Sequence, residues 1–258
     1  MKVLVFDIWG DYGHFKRIYT STSPLTYDFP PKTTIYGILG CFLGLGKEEY
    51  LKYLNKNTVK VALKIINPIK KTDIAINLIN TKNDILKKES IKVNKSTYKI
   101  SKVNLIKNRT QIRFELLKNP KYRLYVNISN DDLYLKLKKL LKEHKTIYTP
   151  SLGISEFIAN FNYVGEYSLI DNNTNINNEN NNFTTVNTLI RRDNIINDEI
   201  NLNHEKEYLF SKIPNEINQD RITTEYVDIF YEKNGEPINC KIKEVYYINE
   251  LKEYISFM

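Results

Sequence analysis

Two cysteines in 258 residues, Cys41 and Cys240, rule out a disulfide framework, and neither belongs to a cluster with metal-ligand spacing. Three histidines, His14, His144 and His204, leave few groups suited to acid–base chemistry near neutral pH. Long apolar runs are missing too. The longest, Ile35 to Leu45, is too short and too rich in glycine to cross a bilayer, so no membrane contact is expected. The chain opens on a charged, strand-like segment rather than a signal peptide, and a reduced, cytoplasmic protein is the expectation. No motif calls for a cofactor or a metal.

Acidic residues are scarce in one half only. Residues 1–145 hold 29 Lys and Arg against 12 Asp and Glu, whereas residues 146–258 hold 9 against 18. The overall net charge of +8 therefore hides a split of +17 and −9. Heavy use of Lys, Ile and Asn is what A/T-rich codons would produce, but codon bias does not separate signs. A polyanion partner for the first half is the natural reading, because neutralising phosphates releases counterions. A solvated basic face is the bland alternative.

The opening segment concentrates the chemistry. Val3, Val5, Ile8 and Trp9 mark a mostly buried strand, and Gly10 and Gly13 break it. A loop follows with His14, Lys16, Arg17, Tyr19, Thr22 and Ser23, the cationic, hydroxyl and flat aromatic groups that hold phosphate, sugar and base. Pro30 and Pro31 end it. Thr33 or Thr34 is then expected to cap a helix over about 32–45 that carries Lys32 and Tyr36. Its Gly37, Gly40 and Gly44 each cost about 1 kcal/mol in a helix interior, so something is expected to approach the bare backbone closely.

The rest of the chain reads as alternating elements. A short helix is expected near 47–55 and strands at 59–66, 72–79, 110–117 and 121–128. Asp131 and Asp132 should cap a helix over about 131–144, and a strand follows at 161–169. The order β-α-β-β-α-β predicts an α+β, ferredoxin-like domain over residues 1–170. A basic insertion at about 80–110 alternates at Ile91, Val93, Tyr98 and Ile100, as a projecting hairpin would. It contains Lys107, and the strand returning from it places Arg109, Gln111 and Arg113 on one face. Residues 171–182, with eight Asn in twelve, read as a linker, and 183–258 as a small, mainly β domain.

Three ordered stretches carry a resemblance. They are FDIWGDYGHFKRIYTSTSPLTYDFPPKTTIYGILGCFLGL at 6–45, NPIKKTDIAINLINTK at 67–82 with RTQIRFELLKNPKYRLYV at 109–126, and YTPSLGISEFIANF at 148–161. Together they resemble the CRISPR-associated Cas-five family, a branch of the RAMP proteins, and most of all its type I-B form. The resemblance implies a subunit that binds the 5′ handle of CRISPR RNA and caps the backbone of a Cascade complex in antiviral defence. Single-stranded RNA would be held with bases splayed against the sheet and loops and cations on the phosphates. The implied partners are that RNA, a backbone subunit of the Cas-seven family and the large subunit, and not a second copy of the chain itself. The basic hairpin would be the thumb lying over the guide RNA.

The alternative is a metal-independent endoribonuclease that matures the guide. His14, near Lys16 and Tyr19, is the best candidate acid or base, while His144 suits a helix C-terminus and His204 lies among acidic residues. Cutting relatives carry a His two residues before the Pro of a Pro-x-Leu-Gly motif. Here the motif is Pro150-Ser151-Leu152-Gly153, and the earlier position is Tyr148, so no catalytic residue is expected. Ser151 and Gly153 can instead present N–H groups to phosphate, or form an ordinary tight turn.

Overall fold

The computed structural model describes residues 1–20, 23–79, 86–93, 96–103, 109–171 and 183–258. The chain is α+β, mostly β with few helices. Strand β1 (Lys2–Trp9) leads through β2 (Tyr12–Gly13) and the first loop to α1 (Lys32–Leu43), followed by α2 (Tyr50–Tyr53) and β3 (Val59–Ile65). Four strands come next: β4 (Lys71–Ile79), β5 (Leu86–Val93), β6 (Ser96–Val103) and β7 (Arg109–Lys118). The first half closes with β8 (Lys121–Ile128), α3 (Asp131–Lys142) and β9 (Asn160–Ser168).

The central sheet has the order β3-β8-β1-β9, antiparallel throughout, with Phe6 opposite Leu124 and Val61 opposite Val126. Alternation sorts its side chains onto two faces. Leu4, Phe6, Ile8, Leu63, Leu124 and Val126 form one buried face, together with Ile35, Leu39 and Phe42 of α1 and Leu137 and Leu141 of α3. The other face carries Val3, Val5, Ala62 and Tyr125.

Two helix starts differ from expectation. At α1 the N-cap is Pro31, no side chain caps the helix, and Thr33 and Thr34 lie inside its first turn. Proline's fixed φ, −56° here, presets the entry in place of a hydroxyl. At α3 the cap is Asn130, whose Oδ1 accepts from the Leu133 N–H at 3.0 Å, and Asp131 and Asp132 sit where the helix dipole favours them.

Between β3 and β8 the chain leaves the central sheet. Strands β4 and β7 form a long ladder with β2, and β5 pairs with β6 as a hairpin in which Ile91 is registered with Tyr98. The excursion thus begins near Lys71, earlier than alternation alone indicated, because β4 pairs with β7 and not with the sheet. The polar face of this ladder presents Asn77, Gln111 and Arg113, and the other presents Ile74, Ile76, Ile112 and Phe114 half-buried.

The second half contributes β10 (Ile170–Asp171), β11 (Thr184–Val186), β12 (Ile190–Arg191), β13 (Ile195–Asn201), β14 (Tyr208–Ile217), β15 (Thr223–Glu232), β16 (Ile238–Ile242), β17 (Tyr246–Ile248) and β18 (Glu253–Ile255). These make three small sheets, β11-β16-β13, β12-β15-β14 and β10-β17-β18. The Asn-rich stretch 172–182 lies outside the described residues. Ile213, Val227, Ile229 and Tyr231 join the core beneath α1, and a separate cluster gathers around Phe230, Ile238 and Cys240.

The sheet β10-β17-β18 has a consequence for ligand binding. Leu169, Ile248 and Ile255 cover Val3, Val5, Ala62 and Tyr125, all fully buried. Polar groups under this cover are paired: Arg123 holds Asp7 at 2.7 and 3.2 Å, and Glu253 accepts from Lys64 at 2.6 Å and from the Tyr125 hydroxyl at 2.5 Å. Neither face of the central sheet is open to splayed bases, contrary to the expectation that RNA lies against the sheet.

Candidate nucleic-acid interface

The first loop is pinned at its base. The N–H of Phe15 donates to Thr26 Oγ1 at 2.8 Å, that of Arg17 to the Leu25 carbonyl at 2.9 Å, and that of Tyr27 to the Phe15 carbonyl at 2.8 Å. Beneath it Lys71 Nζ reaches Asp28 at 2.7 Å and Glu115 at 3.2 Å, and the Tyr231 hydroxyl donates to Asp28 at 2.6 Å. A buried carboxylate needs such partners, since removing it from water unpaired costs several kcal/mol.

This network decides the roles of the loop residues. His14 is only 2% exposed; its Nδ1–H donates to the Glu115 carbonyl at 2.8 Å, and Nε2 is buried without a partner. Burial lowers its pKa, so the ring is a neutral packing group against Phe114 and is not presented to a ligand. Arg17 is partly committed as well: Nε donates to the Thr26 carbonyl at 3.1 Å, and the guanidinium lies 5.5 Å from the Tyr27 ring centre. Lys16 and Ser23 are exposed, and Tyr19 is 88% exposed. Thr22 lies outside the described residues.

Two grooves flank this loop. In the first, of about 480 Å³, Tyr19 and Tyr27 meet Phe210 and Tyr226 from β14 and β15, with Arg17 and Lys212 at its walls. Lys212 lies 5.8 Å from the Tyr226 ring centre. Flat rings beside cations are the surface on which unpaired bases stack. Phe210, Lys212 and Tyr226 escaped sequence analysis because they belong to the acidic half. One signal was available: in β14, Phe210 and Lys212 alternate outward while Ser211 and Ile213 point in.

The second groove, of about 310 Å³, lies between the start of α1 and the 149–153 loop. It brings together Thr33, Thr34 and Gly37 with Thr149, Ser151 and Gly153, and no carboxylate lines it. The three helix glycines have three different causes. Gly37 faces open space, with nothing within 4 Å of where a Cβ would stand. Gly40 is buried, and its Cβ would meet Tyr50 Cβ at 3.0 Å, so the close approach there is made by α2. Gly44 ends α1 in the left-handed region at φ 74°, with the Leu45 N–H on the Gly40 carbonyl at 2.9 Å.

Gly153 is constrained more strongly. Its φ is +100°, and a Cβ would lie 1.8 Å from the His14 carbonyl oxygen. The N–H of His14 donates to the Leu152 carbonyl at 2.9 Å, so the first loop and the 150–153 loop form one backbone unit.

Other expected contacts are internal. Tyr36 is fully buried, and burial pushes its hydroxyl far above the usual titration range. Lys32 is 5% exposed, and its ammonium donates to a main-chain oxygen of Met258, the last residue of the chain, at 2.9 Å. Gln111 and Arg113 are exposed on one face of β7. Arg109 lies in the same ladder opposite Ile79, its side chain being outside the described residues along with Lys107. Among the described residues no group of three His, Cys, Asp or Glu is placed to hold a metal, and no helix is long and apolar enough to cross a membrane.

A family model described as CRISPR-associated protein (Cas_Cas5) matches residues 3–186. Among solved structures, a chain of a CRISPR RNA-guided surveillance complex is similar at a TM-score of 0.52 and 11% identity, with 93% of this chain and 92% of that one covered. A CRISPR protein from Archaeoglobus fulgidus is similar at a TM-score of 0.54 and 14% identity, covering 99% of this chain and 98% of that one. At these identities the likeness is one of fold. No curated protein matches the sequence.

Proposed function

Because the chain belongs to the CRISPR-associated Cas5 family, we propose that it is a non-catalytic subunit that grips the 5′ handle of CRISPR RNA. It closes one end of the backbone of a type I, I-B-like Cascade surveillance complex. The central sheet with α1 and α3 is its ferredoxin-like RAMP module, and the β5–β6 hairpin is the thumb that meets a backbone subunit of the Cas-seven family. The large subunit and the guide RNA complete its partners.

One observation carries this function: the carboxylate-free groove in which Thr33, Thr34 and Gly37 face Ser151 and Gly153. Hydroxyls, bare backbone and the positive end of a helix accept a phosphodiester chain without a catalytic group. The aromatic groove beside it supplies stacking. His14, neutral and enclosed, supplies neither a base nor an acid to a strand on the surface. His144 stacks on Phe161 at 4.4 Å at the end of α3.

The test is titration of handle RNA against purified protein in EDTA, with the RNA afterwards resolved by length. Saturable binding with intact RNA is expected. Cleavage at one position would replace this function with the endoribonuclease.

A further inference from the structure

Lys71, the first residue of β4, stands beneath the first loop between two carboxylates. Its Nζ lies 2.7 Å from Asp28 Oδ1 and 3.2 Å from Glu115 Oε1, and it donates to the Thr26 carbonyl at 3.3 Å. Arg17 approaches the same groups. Its Nε donates to that Thr26 carbonyl at 3.1 Å, but Nη2 stops 4.0 Å from Asp28 Oδ1. We propose that Lys71 is a positioning residue for RNA binding: by neutralising Asp28 it leaves the Arg17 guanidinium open to a phosphate at the aromatic groove. The inference rests on the RNA-binding function proposed above.

Competition for Asp28 is the reason. This carboxylate is buried, and a buried carboxylate draws in whatever cation can reach it, because leaving it unpaired is costly. Oδ2 is filled by the Tyr231 hydroxyl at 2.6 Å, so Oδ1 is the oxygen that the two cations share. Coulomb attraction falls with distance, so Lys71 at 2.7 Å outweighs Arg17 at 4.0 Å. Oδ1 accepts no hydrogen bond of good geometry, which makes the Lys71 contact one of charge and leaves a lone pair that Arg17 Nη2 would fill if Lys71 were removed. Glu115 is no rival acceptor, since its Oε1 already takes the Thr26 N–H at 3.0 Å and faces Lys71.

The fold assigns the two cations different places. The β4–β7 register sets Lys71 opposite Leu117 and Asp73 opposite Glu115, so Lys71 and Glu115 are diagonal neighbours on one face of a long ladder. Arg17 sits on the loop with 40% of its side chain exposed. It lines the groove of Tyr19, Phe210 and Tyr226, and Lys71 does not. A planar guanidinium at that place can present two N–H groups to one phosphate beside stacked bases.

The test reads Arg17 in the full chain, first without RNA. Phenylglyoxal modifies a guanidinium whose terminal nitrogens are free, and mass spectrometry reports the rate at Arg17 against the exposed Arg113 as internal reference. Lys71→Met should slow modification of Arg17 by about three-fold or more, as Arg17 closes onto Asp28. Lys71→Met/Asp28→Asn should restore the wild-type rate, because the competing carboxylate is gone. The conservative Lys71→Arg should leave the rate unchanged, as should Lys70→Met, which removes the neighbouring exposed charge. Asp28→Asn alone, which keeps Lys71 beside Glu115, should not slow Arg17. An Arg17 rate in Lys71→Met that is not below wild type, a loss that persists in the double variant, or slowing by Asp28→Asn would overturn the proposal. With handle RNA, Lys71→Met should flatten the salt slope by about one unit and the double variant should recover it. Flattening that persists in the double variant would make Lys71 itself the phosphate contact and overturn the positioning role. If handle RNA binds to none of these proteins, the RNA-binding function fails, and the phenylglyoxal rates still decide whether Lys71 holds Arg17 open.

Discussion

The two halves of this chain treat their cations differently. In the second half Arg191 pairs with Asp193, Arg192 with Asp198, Lys206 with Glu236, Lys233 with Glu207 and Lys241 with Glu199. In the first half Lys56, Lys64, Lys71, Arg123, Lys138 and Lys145 are paired too, but Lys16, Lys47, Lys52, Lys70, Arg113 and Lys118 have no ion-pair partner among the described residues. Net charge alone shows only that one half is basic. Pairing shows which charges are available to a polyanion. Even within the first half it divides neighbours, since Lys16 is free while Arg17 serves Thr26, Tyr27 and Asp28.

The largest test of this contrast uses one substitution at two glycines that line the same groove. Gly153→Ala should lose on the order of 3 kcal/mol, because its Cβ meets backbone at positive φ. Gly37→Ala should gain about 1 kcal/mol from helix propensity, because its Cβ meets nothing. Chemical denaturation measures both, and equal effects would mean that the 150–153 loop is not docked on His14.

Next come the aromatic residues from opposite halves. Tyr19→Ala and Phe210→Ala should each weaken handle binding by about 1–3 kcal/mol if bases stack in their groove. Ile222→Ala, also exposed but outside it, should leave binding unchanged. A loss for Tyr19 alone would confine the RNA to the first half.

Stability against pH probes the buried cation. Burial, and then Arg191, lower the Lys32 pKa from 10.5 to about 8. Between those values the unfolded chain binds the proton and the folded chain does not, so stability contributed by this site rises with pH across that window. Lys32→Met should abolish the rise, seen as unfolding midpoints that no longer climb across the window from about 8 to 10.5. A rise that persists would assign it to another group.

The smallest expected effect is in salt dependence. Lys16→Ala should flatten the slope of handle affinity against salt by about one unit, the signature of one lost phosphate contact. Arg192→Ala should leave it unchanged, because Asp198 already neutralises that guanidinium at 3.0 Å. A matching loss from Arg192 would show that pairing in the free protein does not predict availability to RNA.

Local patterns announced most of the first half. Strand β8 falls at the expected 121–128, and α1 and α3 lie within the spans expected for them from their end signals. The second half was harder. Strand β13, Ile195–Asn201, reads IINDEIN with no apolar alternation, and β18, Glu253–Ile255, is too short for a period to emerge, so long-range pairing with β16 and β17 defines them. At the candidate site, Thr33, Gly37, Ser151 and Gly153 were legible from residue type and do converge. His14, Lys32 and Tyr36 were chosen on the same grounds and are enclosed, because residue type says what a group can bind and not whether it faces solvent.

What the sequence by itself determined was the charge split, the order of elements through β9, and the family, all encoded in local composition and in motifs that read along the chain. Tertiary structure alone decided which surfaces exist. The C-terminal strands close the second face of the central sheet, β14 and β15 bring Phe210 and Tyr226 to Tyr19, and a main-chain oxygen of Met258 meets Lys32. The physical reason is distance along the chain. Periodicity reports each residue's immediate neighbours, whereas burial and pairing depend on segments far away in sequence, as with the Lys32–Met258 bond across 226 positions.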